Sequence, residues 1–181
     1  RLSGGSVHLA GEEITNMDPA QVVNKGVCYV PQTNNVFPTL TVQENLEMGA
    51  YIRNDDFRPR LLEIYEMFPP LAEKKKQAAG ELSGGQRQMV AMGKALMLEP
   101  TILMLDEPTA GLSPIYRNEI FQIIRQINAS GIPILMVEQN AKQSLAVANR
   151  GYVLVDGRNR TTGKGIDLLN DPEIAKMFLG G

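Results

Sequence analysis

The amino-acid sequence predicts an α/β domain with a mostly parallel sheet, and three features carry that prediction. Short apolar runs of strand length occur at residues 27–30, 102–105 and 134–137. Helical patterns follow the second and third runs, and this order is typical of a parallel sheet with crossover helices. Residues 39–92 are helical in pattern and lie between the first two strands, which indicates an inserted helical subdomain. We expect one domain over residues 1–181, a length that suits a single sizeable core.

The first predicted elements are a hairpin and a short helix. Residues 6–9 alternate in polarity and a turn follows at residues 10–12, which favours an antiparallel hairpin. Asp18 is suited to cap the helix, and Pro19 suits its first position. Gly26 ends this helix directly before the first apolar strand.

The insertion contains several predicted helices. Thr41 and Glu44 have the spacing of a capping box at the start of one helix. A second helix ends at Pro69 and Pro70, and a third spans residues 86–98. The predicted apolar positions of the second and third helices are Leu61, Leu62, Ile64, Tyr65 and Phe68, and Met89, Met92 and Leu96.

The second half of the chain returns to alternating strands and helices. Because its two apolar strands are uninterrupted, we expect them to be buried in a sheet that is covered on both faces. Ser113 and Pro114 start the helix between them, and Gly131 ends it. The remaining predicted elements are a helix at residues 141–148, a hairpin strand at residues 152–155 with its turn at residues 156–157, and short helices near residues 166–169 and 172–178.

The composition is that of an ordinary globular protein and excludes several classes. The net charge of −2 gives no basis for nucleic-acid binding. No apolar run approaches the about 20 residues that cross a bilayer, and the first residues lack the apolar core of a signal peptide. Cys28 lies in an apolar run and is predicted to be a buried core residue, and His8 a surface strand residue without a chemical role.

Two carboxylates follow the strand at residues 102–105. Ligands of open α/β sheets gather beyond the carboxyl ends of strands, where Asp106 and Glu107 are expected to lie. Asp106 could hold Mg²⁺ through water, and Glu107 could orient and polarise the water that attacks a terminal phosphate. A strand that simply ends in acidic loop residues is the plainer interpretation of this pair.

Two further polar segments suit phosphate binding. Ser83, Gly84, Gly85 and Gln86 stand at a predicted helix start, where free N–H groups and the helix dipole favour an anion. Gln32 follows the first apolar strand and could donate to a phosphate oxygen or accept from a metal-bound water. The plainer interpretations are a flexible turn with a helix cap and an ordinary polar residue after a strand.

Together and in this order, these segments resemble those of the ATP-binding subunits of ABC transporters. In that resemblance Gln32 is the Q-loop glutamine, and residues 82–86 (Leu-Ser-Gly-Gly-Gln) are the family's signature segment. Residues 102–106 correspond to the Walker B strand, Glu107 to the catalytic base, and residues 110–113 to the D-loop. The resemblance implies a P-loop NTPase-like ABC ATPase core that uses ATP and Mg²⁺.

The sequence departs from the family pattern in three places. No Gly-x-x-x-x-Gly-Lys-Ser/Thr segment occurs in these residues, so we expect the ATPase core to be incomplete at the N-terminus and the isolated chain to be weak or inactive. Gln139 stands where most of the family has a switch histidine; an amide can contact the γ-phosphate but cannot carry a proton. Ser113 replaces the usual D-loop aspartate, and a role as helix cap suits it equally well.

Finer motifs narrow the resemblance. Residues 30–32, 37–46, 109–114 and 137–140 are similar to those of the branched-chain amino-acid importer ATPases, in particular the shorter of that system's two ATPase subunits. Gln139 is common in that subunit. Residues 178–181 (Phe-Leu-Gly-Gly) look like its C-terminus.

The resemblance also implies partners and a mechanism. Two ATPase subunits enclose two ATP molecules, so residues 83–86 touch the nucleotide of the partner, while Gln32, Asp106 and Glu107 serve their own. Transmembrane permease subunits receive the motion, with residues 36–38 in the groove for a coupling helix. A solute-binding protein acts indirectly, and the subunit lies at the cytoplasmic face of a bacterial membrane.

Three alternatives stay open at this point. A urea or short-amide importer ATPase has the same motifs. An ABC-type ATPase acting on DNA is disfavoured by the compact insertion without sustained heptads, and those acting on ribosomes carry two such domains in one chain. A catalytically inert fragment of such a subunit is the third alternative.

Overall fold

The structure, a computed structural model that describes residues 2–178, has the predicted order of strands and helices. Its strands are β1 (His8–Leu9), β2 (Glu12–Glu13), β3 (Val27–Val30), β4 (Ile102–Asp106), β5 (Ile134–Val137), β6 (Gly151–Val155) and β7 (Arg158–Gly163). Its α-helices are α1 (Pro19–Asn24), α2 (Val42–Gly49), α3 (Arg58–Met67), α4 (Pro69–Glu73), α5 (Gly84–Leu96), α6 (Pro114–Ala129), α7 (Ala141–Val147), α8 (Gly165–Leu169) and α9 (Pro172–Phe178).

The parallel sheet is confirmed and has the order β3-β4-β5, with β4 in the centre. Val27 pairs with Ile102, and Leu103 pairs with Ile134, so all three strands end at the same edge. The β1–β2 and β6–β7 pairs are separate antiparallel hairpins, as predicted. Of the C-terminal motif, residues 179–181 lie outside the described residues.

Several local predictions are confirmed by the caps. Asp18 accepts a hydrogen bond from the backbone N–H of Ala20 at the start of α1. Thr41 and Glu44 form both bonds of a capping box at the start of α2. Pro69 and Pro70 separate α3 from α4, but they do so by starting α4 instead of ending the helical region.

The core lies on one face of the sheet, which we call the covered face. Cys28 and Val30 of β3 and Leu103 and Leu105 of β4 are buried there. The predicted stripe of α5 packs in the same core, since Met89, Met92 and Leu96 are fully buried. The inward side of α6 is also confirmed; its buried residues include Ile120, Ile123, Ile124 and Ile127.

The opposite face, which we call the open face, corrects a prediction. Alternate residues of a strand point to opposite faces, and the other set includes Tyr29, Leu135 and Val137. Their exposed fractions are 54%, 52% and 60%. The expectation that both faces are covered is therefore wrong for these positions, because the described elements leave their side chains in solvent.

The predicted apolar face of α3 needs one correction. Leu61, Ile64 and Phe68 are buried, and Tyr65 is half-buried. Leu62 is 63% exposed, because it falls outside the i, i+3, i+4, i+7 spacing that these four residues share. Its apolar character alone placed it in the core.

Candidate functional site

Glu107 occupies a tight turn at the carboxyl end of β4. Its φ of +43° lies in the left-handed region, which costs a non-glycine residue of order 1–3 kcal/mol. Two backbone bonds hold the turn: the N–H of Glu107 donates to Val137 O at 2.9 Å, and the N–H of Ala110 donates to Glu107 O at 3.0 Å. The neighbouring strand therefore fixes the backbone from which the carboxylate projects.

Two side-chain amides hold the Glu107 carboxylate from either side. Gln32 Nε2 donates to Oε2 at 3.0 Å, and Gln139 Nε2 donates to Oε1 at 2.7 Å. The three residues come from the loops after β3, β4 and β5, which end at one edge of the sheet. The structure thus brings together three of the residues that the sequence predicted for the site.

Asp106 lies beside this group on the open face, where Tyr29 OH donates to its Oδ2 at 2.8 Å. This hydrogen bond, followed by desolvation and the charge of Asp106, raises the pKa of Tyr29. The sequence analysis missed Tyr29. The signal that could have identified it is its parity: in parallel register Tyr29 pairs with Met104, two residues before Asp106 on the same face.

The side chains at this site suit a Mg²⁺ ion that is bound mainly through water and substrate phosphates. The described part of the chain contains no group of three or more His, Cys, Asp and Glu side chains that could enclose a metal ion. Mg²⁺ does not need such a cage, because it is commonly bound by one or two carboxylates, water and substrate phosphates. Asp106, whose recorded side-chain bond occupies only Oδ2, suits that pattern.

The predicted signature segment is the N-terminus of α5. Ser83 Oγ accepts from Gln86 N–H, and Gln86 Oε1 accepts from Ser83 N–H, both at 3.2 Å, so the two side chains form a capping box. The helix begins at Gly84, two residues before the predicted start, because Ser83 is its cap. No recorded hydrogen bond of the described residues joins this segment to Asp106 or Glu107, and its contact with a partner's nucleotide stays a prediction.

The two glycines of that segment differ in what they touch. A Cβ built on Gly85 would lie 2.3 Å from the ring of Tyr116, so the helix packs against α6 only because this side chain is absent. A Cβ on Gly84 would lie 3.2 Å from Leu112 Cδ2, the end of a flexible side chain. Gly85 is buried, whereas Ser83, Gly84 and Gln86 are half-buried.

The segment that follows Gln32 is tied to α5. Asn35 Nδ2 donates to Pro31 O at 3.2 Å and to Gln88 Oε1 at 2.9 Å, and Lys94 Nζ donates to Asn35 O at 2.7 Å. Gln88, which the sequence analysis also missed, is 6% exposed. Helix α5 therefore carries the signature segment at its start and anchors the Gln32 segment along its length.

A mostly apolar groove of about 390 Å³ lies between this segment and α2. Its rim includes the exposed side chains of Phe37, Met48, Tyr51 and Ile52. Lys94 Nζ lies 4.8 Å from the centre of the Phe37 ring, within cation–π range. Phe37 of the segment 36–38 lines this groove, and the role of the segment in receiving a coupling helix stays a prediction.

Ser113 was predicted to be either a D-loop residue or the cap of α6, and it occupies the N-cap position of α6. Its side chain makes no capping hydrogen bond, and it is exposed. Pro114 takes the first helical position, as predicted. Across residues 2–178, none of the helices combines the length and the apolar character that a membrane span requires.

Comparison with known proteins identifies a protein family and close relatives that this chain resembles. A family model described as ABC transporter matches residues 1–110, more than half of the chain. The chain is 42% identical to the high-affinity branched-chain amino acid transport ATP-binding protein BraG of Pseudomonas aeruginosa, covering 100% of this chain and 78% of that protein. It is 41% identical to the probable branched-chain amino acid transport ATP-binding protein LivF of Archaeoglobus fulgidus, covering 99% and 77%.

A solved structure agrees with the fold. The crystal structure of the ADP conformation of MJ1267, an ATP-binding cassette of an ABC transporter, superimposes with a TM-score of 0.85 at 28% identity. The match covers 99% of this chain and 78% of that one. The α/β fold with its inserted helices is therefore that of an ATP-binding cassette.

Proposed function

The chain belongs to the ABC transporter family of ATP-binding proteins, and on that premise we propose that it is the ATP-hydrolysing subunit of an importer for branched-chain amino acids. The observation that carries the enzymatic part is the Glu107 carboxylate, held between Gln32 and Gln139 beside Asp106. The transported solute is proposed from the names of BraG and LivF, which are both branched-chain amino acid transport ATP-binding proteins.

In this proposal Glu107 is the general base. Its carboxylate orients a water molecule and accepts its proton as the water oxygen bonds to the γ-phosphorus and the bond to the leaving ADP oxygen breaks. The two amides that donate to Glu107 would donate instead to phosphate oxygens when ATP is present. Because Gln139 has no titratable group, it acts only as a hydrogen-bond donor or acceptor and transfers no proton.

Asp106 and Gln32 are the proposed Mg²⁺ residues. Asp106 would hold the ion through water, and the amide oxygen of Gln32 would accept from a metal-bound water. When bound with the nucleotide, Mg²⁺ neutralises charge on the phosphates. Tyr29 orients Asp106 through its hydroxyl, which leaves Oδ1 without a recorded competitor.

The proposed assembly contains a second ABC ATPase subunit. Ser83, Gly84, Gly85 and Gln86 would meet the ATP held by that subunit, as the N–H groups at the start of α5 favour an anion. The capping box engages the N–H groups of Ser83 and Gln86 and leaves those of Gly84 and Gly85 without a recorded hydrogen bond, so these two would be the donors to the anion. Hydrolysis and phosphate loss would then separate the two subunits.

The proposed membrane partner is a permease subunit whose coupling helix enters the groove beside Phe37. The apolar rim and the connection from Asn35 to α5 support this, since they join the groove to the segment that carries Gln32. The subunit would be peripheral, at the cytoplasmic face of a bacterial membrane. A solute-binding protein would deliver the solute from the other side.

The decisive experiment uses the intact subunit assembled with its permease in liposomes. Glu107→Gln removes the base and keeps the shape, so we expect kcat for ATP hydrolysis to fall by about 10² to 10⁴ while ATP still binds. The matched control is Glu66→Gln, because Glu66 is an exposed carboxylate on α3 without a recorded side-chain bond. The Glu66→Gln protein should hydrolyse ATP normally.

Solute uptake tests the second half of the proposal. ATP-dependent uptake of labelled leucine is expected, and the Glu107→Gln protein should lose it. Uptake of urea in place of leucine would assign the subunit to an amide importer. Wild-type ATP turnover in the Glu107→Gln protein would contradict the role of Glu107.

A further inference from the structure

Glu138 bridges two loops of the site, although it faces neither ATP nor Mg²⁺ in the proposal above. Its Oε1 accepts from both the N–H and the hydroxyl of Thr109, at 2.9 and 2.5 Å. Its Oε2 accepts from the N–H of Asn140 at 3.1 Å. One carboxylate therefore joins the loop after β4 to the loop after β5.

Both ends of this bridge are themselves anchored. Thr109 is 3% exposed and lies two residues after Glu107. The Asn140 side chain caps α7 by accepting from the N–H of Gln143, and Gln143 Nε2 donates to Asn118 of α6. The loop after β5 is consequently fixed to the start of α7, which is in turn bonded to α6, as well as to the loop after β4.

Gln139 lies between Glu138 and Asn140, the two residues that this bridge fixes. Its Nε2 donates to Glu107 Oε1 at 2.7 Å. The direction of the Gln139 side chain depends on the backbone on either side of it. Among the described residues, the loop after β5 has no other recorded hydrogen bond to Thr109. Charge-assisted hydrogen bonds such as those of Glu138 are about twice as strong as neutral ones.

We propose that Glu138 is a positioning residue for ATP hydrolysis: together with the backbone bond from Glu107 N–H to Val137 O, its carboxylate sets the separation of the two loops at which Gln139 meets Glu107. The inference rests on the proposed function for its catalytic meaning. Glutamate is required because both of its oxygens accept. A glutamine can accept only through one oxygen, and its NH₂ group would face the N–H donor of Asn140.

The first test compares kinetic constants of the intact subunit in its transporter. Glu138→Gln is expected to lower kcat by about 10-fold to 100-fold, the scale of a misplacement of about 1 Å, with KM for ATP unchanged. Thr109→Val should lower kcat in the same way, and Thr109→Ser, which keeps the hydroxyl, should restore it. Glu66→Gln is the control carboxylate. A Glu138→Gln protein with wild-type kcat would overturn the proposal.

The second test asks whether Glu138 acts through Gln139. In a Gln139→Ala background Glu138→Gln should have little further effect on kcat, because the group that it positions is absent. An equal loss in both backgrounds would overturn the proposal, since Glu138 would then act independently of Gln139.

A spectroscopic measurement separates this inference from the proposed function. The side-chain amide signals of Gln139 in the nuclear magnetic resonance spectrum should shift in Glu138→Gln and stay in place in Glu66→Gln. If the wild-type protein hydrolyses no ATP, the proposed function fails, and these signals still decide whether Glu138 positions Gln139. Unchanged signals in Glu138→Gln would overturn the inference.

Discussion

The two faces of the central sheet are built from the same three strands, yet they differ sharply in burial. On the covered face Leu103 is fully buried, and it pairs in register with Ile134, which packs against the same core. On the open face Leu135, the next residue of β5, is 52% exposed. Successive residues of one strand therefore experience different environments, and the position in the pleat decides which residue contributes to stability.

The candidate site lies where these two faces meet at the strand ends. Tyr29 and Asp106 belong to the open face, and Glu107 follows in a left-handed turn that departs from the pleat. Consequently the two neighbouring carboxylates project in different settings: Asp106 accepts from a phenol and Glu107 from two amides. Two adjacent acidic residues thus have different hydrogen-bond partners, because one lies on the open face and the other in the turn that follows it.

The largest expected effect is on stability. Leu103→Ala should lower the free energy of unfolding by about 2–5 kcal/mol, through lost burial and a cavity. Leu135→Ala, the matched substitution on the open face, should change it by no more than about 0.5 kcal/mol. Urea denaturation of both variants measures the difference. Equal losses would show that the open face is covered in the folded protein.

A thiol on each face gives the second comparison. Burial raises the pKa of Cys28 to about 11, from a reference value of 9.0, so its thiolate fraction at neutral pH falls about 100-fold before access is considered. Leu135→Cys in a Cys28→Ala background places a thiol on the open face. We expect this thiol to react with a disulfide reagent at least about 100-fold faster than Cys28 does in the native protein. Comparable native rates would contradict the burial of Cys28, and denatured samples should react alike.

The smallest expected effect concerns Tyr29 on the open face. Its folded-state pKa is raised, chiefly by the hydrogen bond to Asp106, so the bond stabilises the fold fully below the ordinary tyrosine pKa of about 10. That stabilisation is lost as the pH rises through the folded-state pKa. Asp106→Ala should lower the pKa of Tyr29, measured by the ultraviolet absorbance of tyrosinate. The same substitution should leave the titration of the Tyr29→Phe protein unchanged, and a shift there would assign the effect to another tyrosine.

Local signals predicted most of the fold correctly. Residue types at caps and turns act through neighbours a few positions away, so Asp18, Thr41 and Gly131 marked helix ends that the structure confirms. The grouping of Gln32, Glu107 and Gln139 was also accessible, because parallel strands bring their following loops to one edge. These inferences needed only strand order and chain direction.

The features that the sequence analysis missed depend on register and on packing between distant segments. The Tyr29–Asp106 contact spans 77 residues, and the Asn35–Gln88 contact spans 53. Glu138 entered the sequence analysis only as part of the motif at residues 137–140, because its partner Thr109 is 29 residues away on another loop. An uninterrupted apolar run gives the strand but not which of its faces is covered, which is why Leu135 and Val137 were misplaced.

Gly49, the last residue of α2, makes the tightest glycine contact of the described residues. A Cβ there would lie 2.1 Å from the carbonyl oxygen of Lys94 in α5. Because the obstacle is backbone, no rotamer could relieve it, and any side chain at this position would force the two helices apart. Lys94 also holds the Asn35 carbonyl. A side chain introduced at Gly49 would therefore displace α5 at Lys94. Through the bond from Lys94 to Asn35, that displacement would reach the loop that carries Gln32.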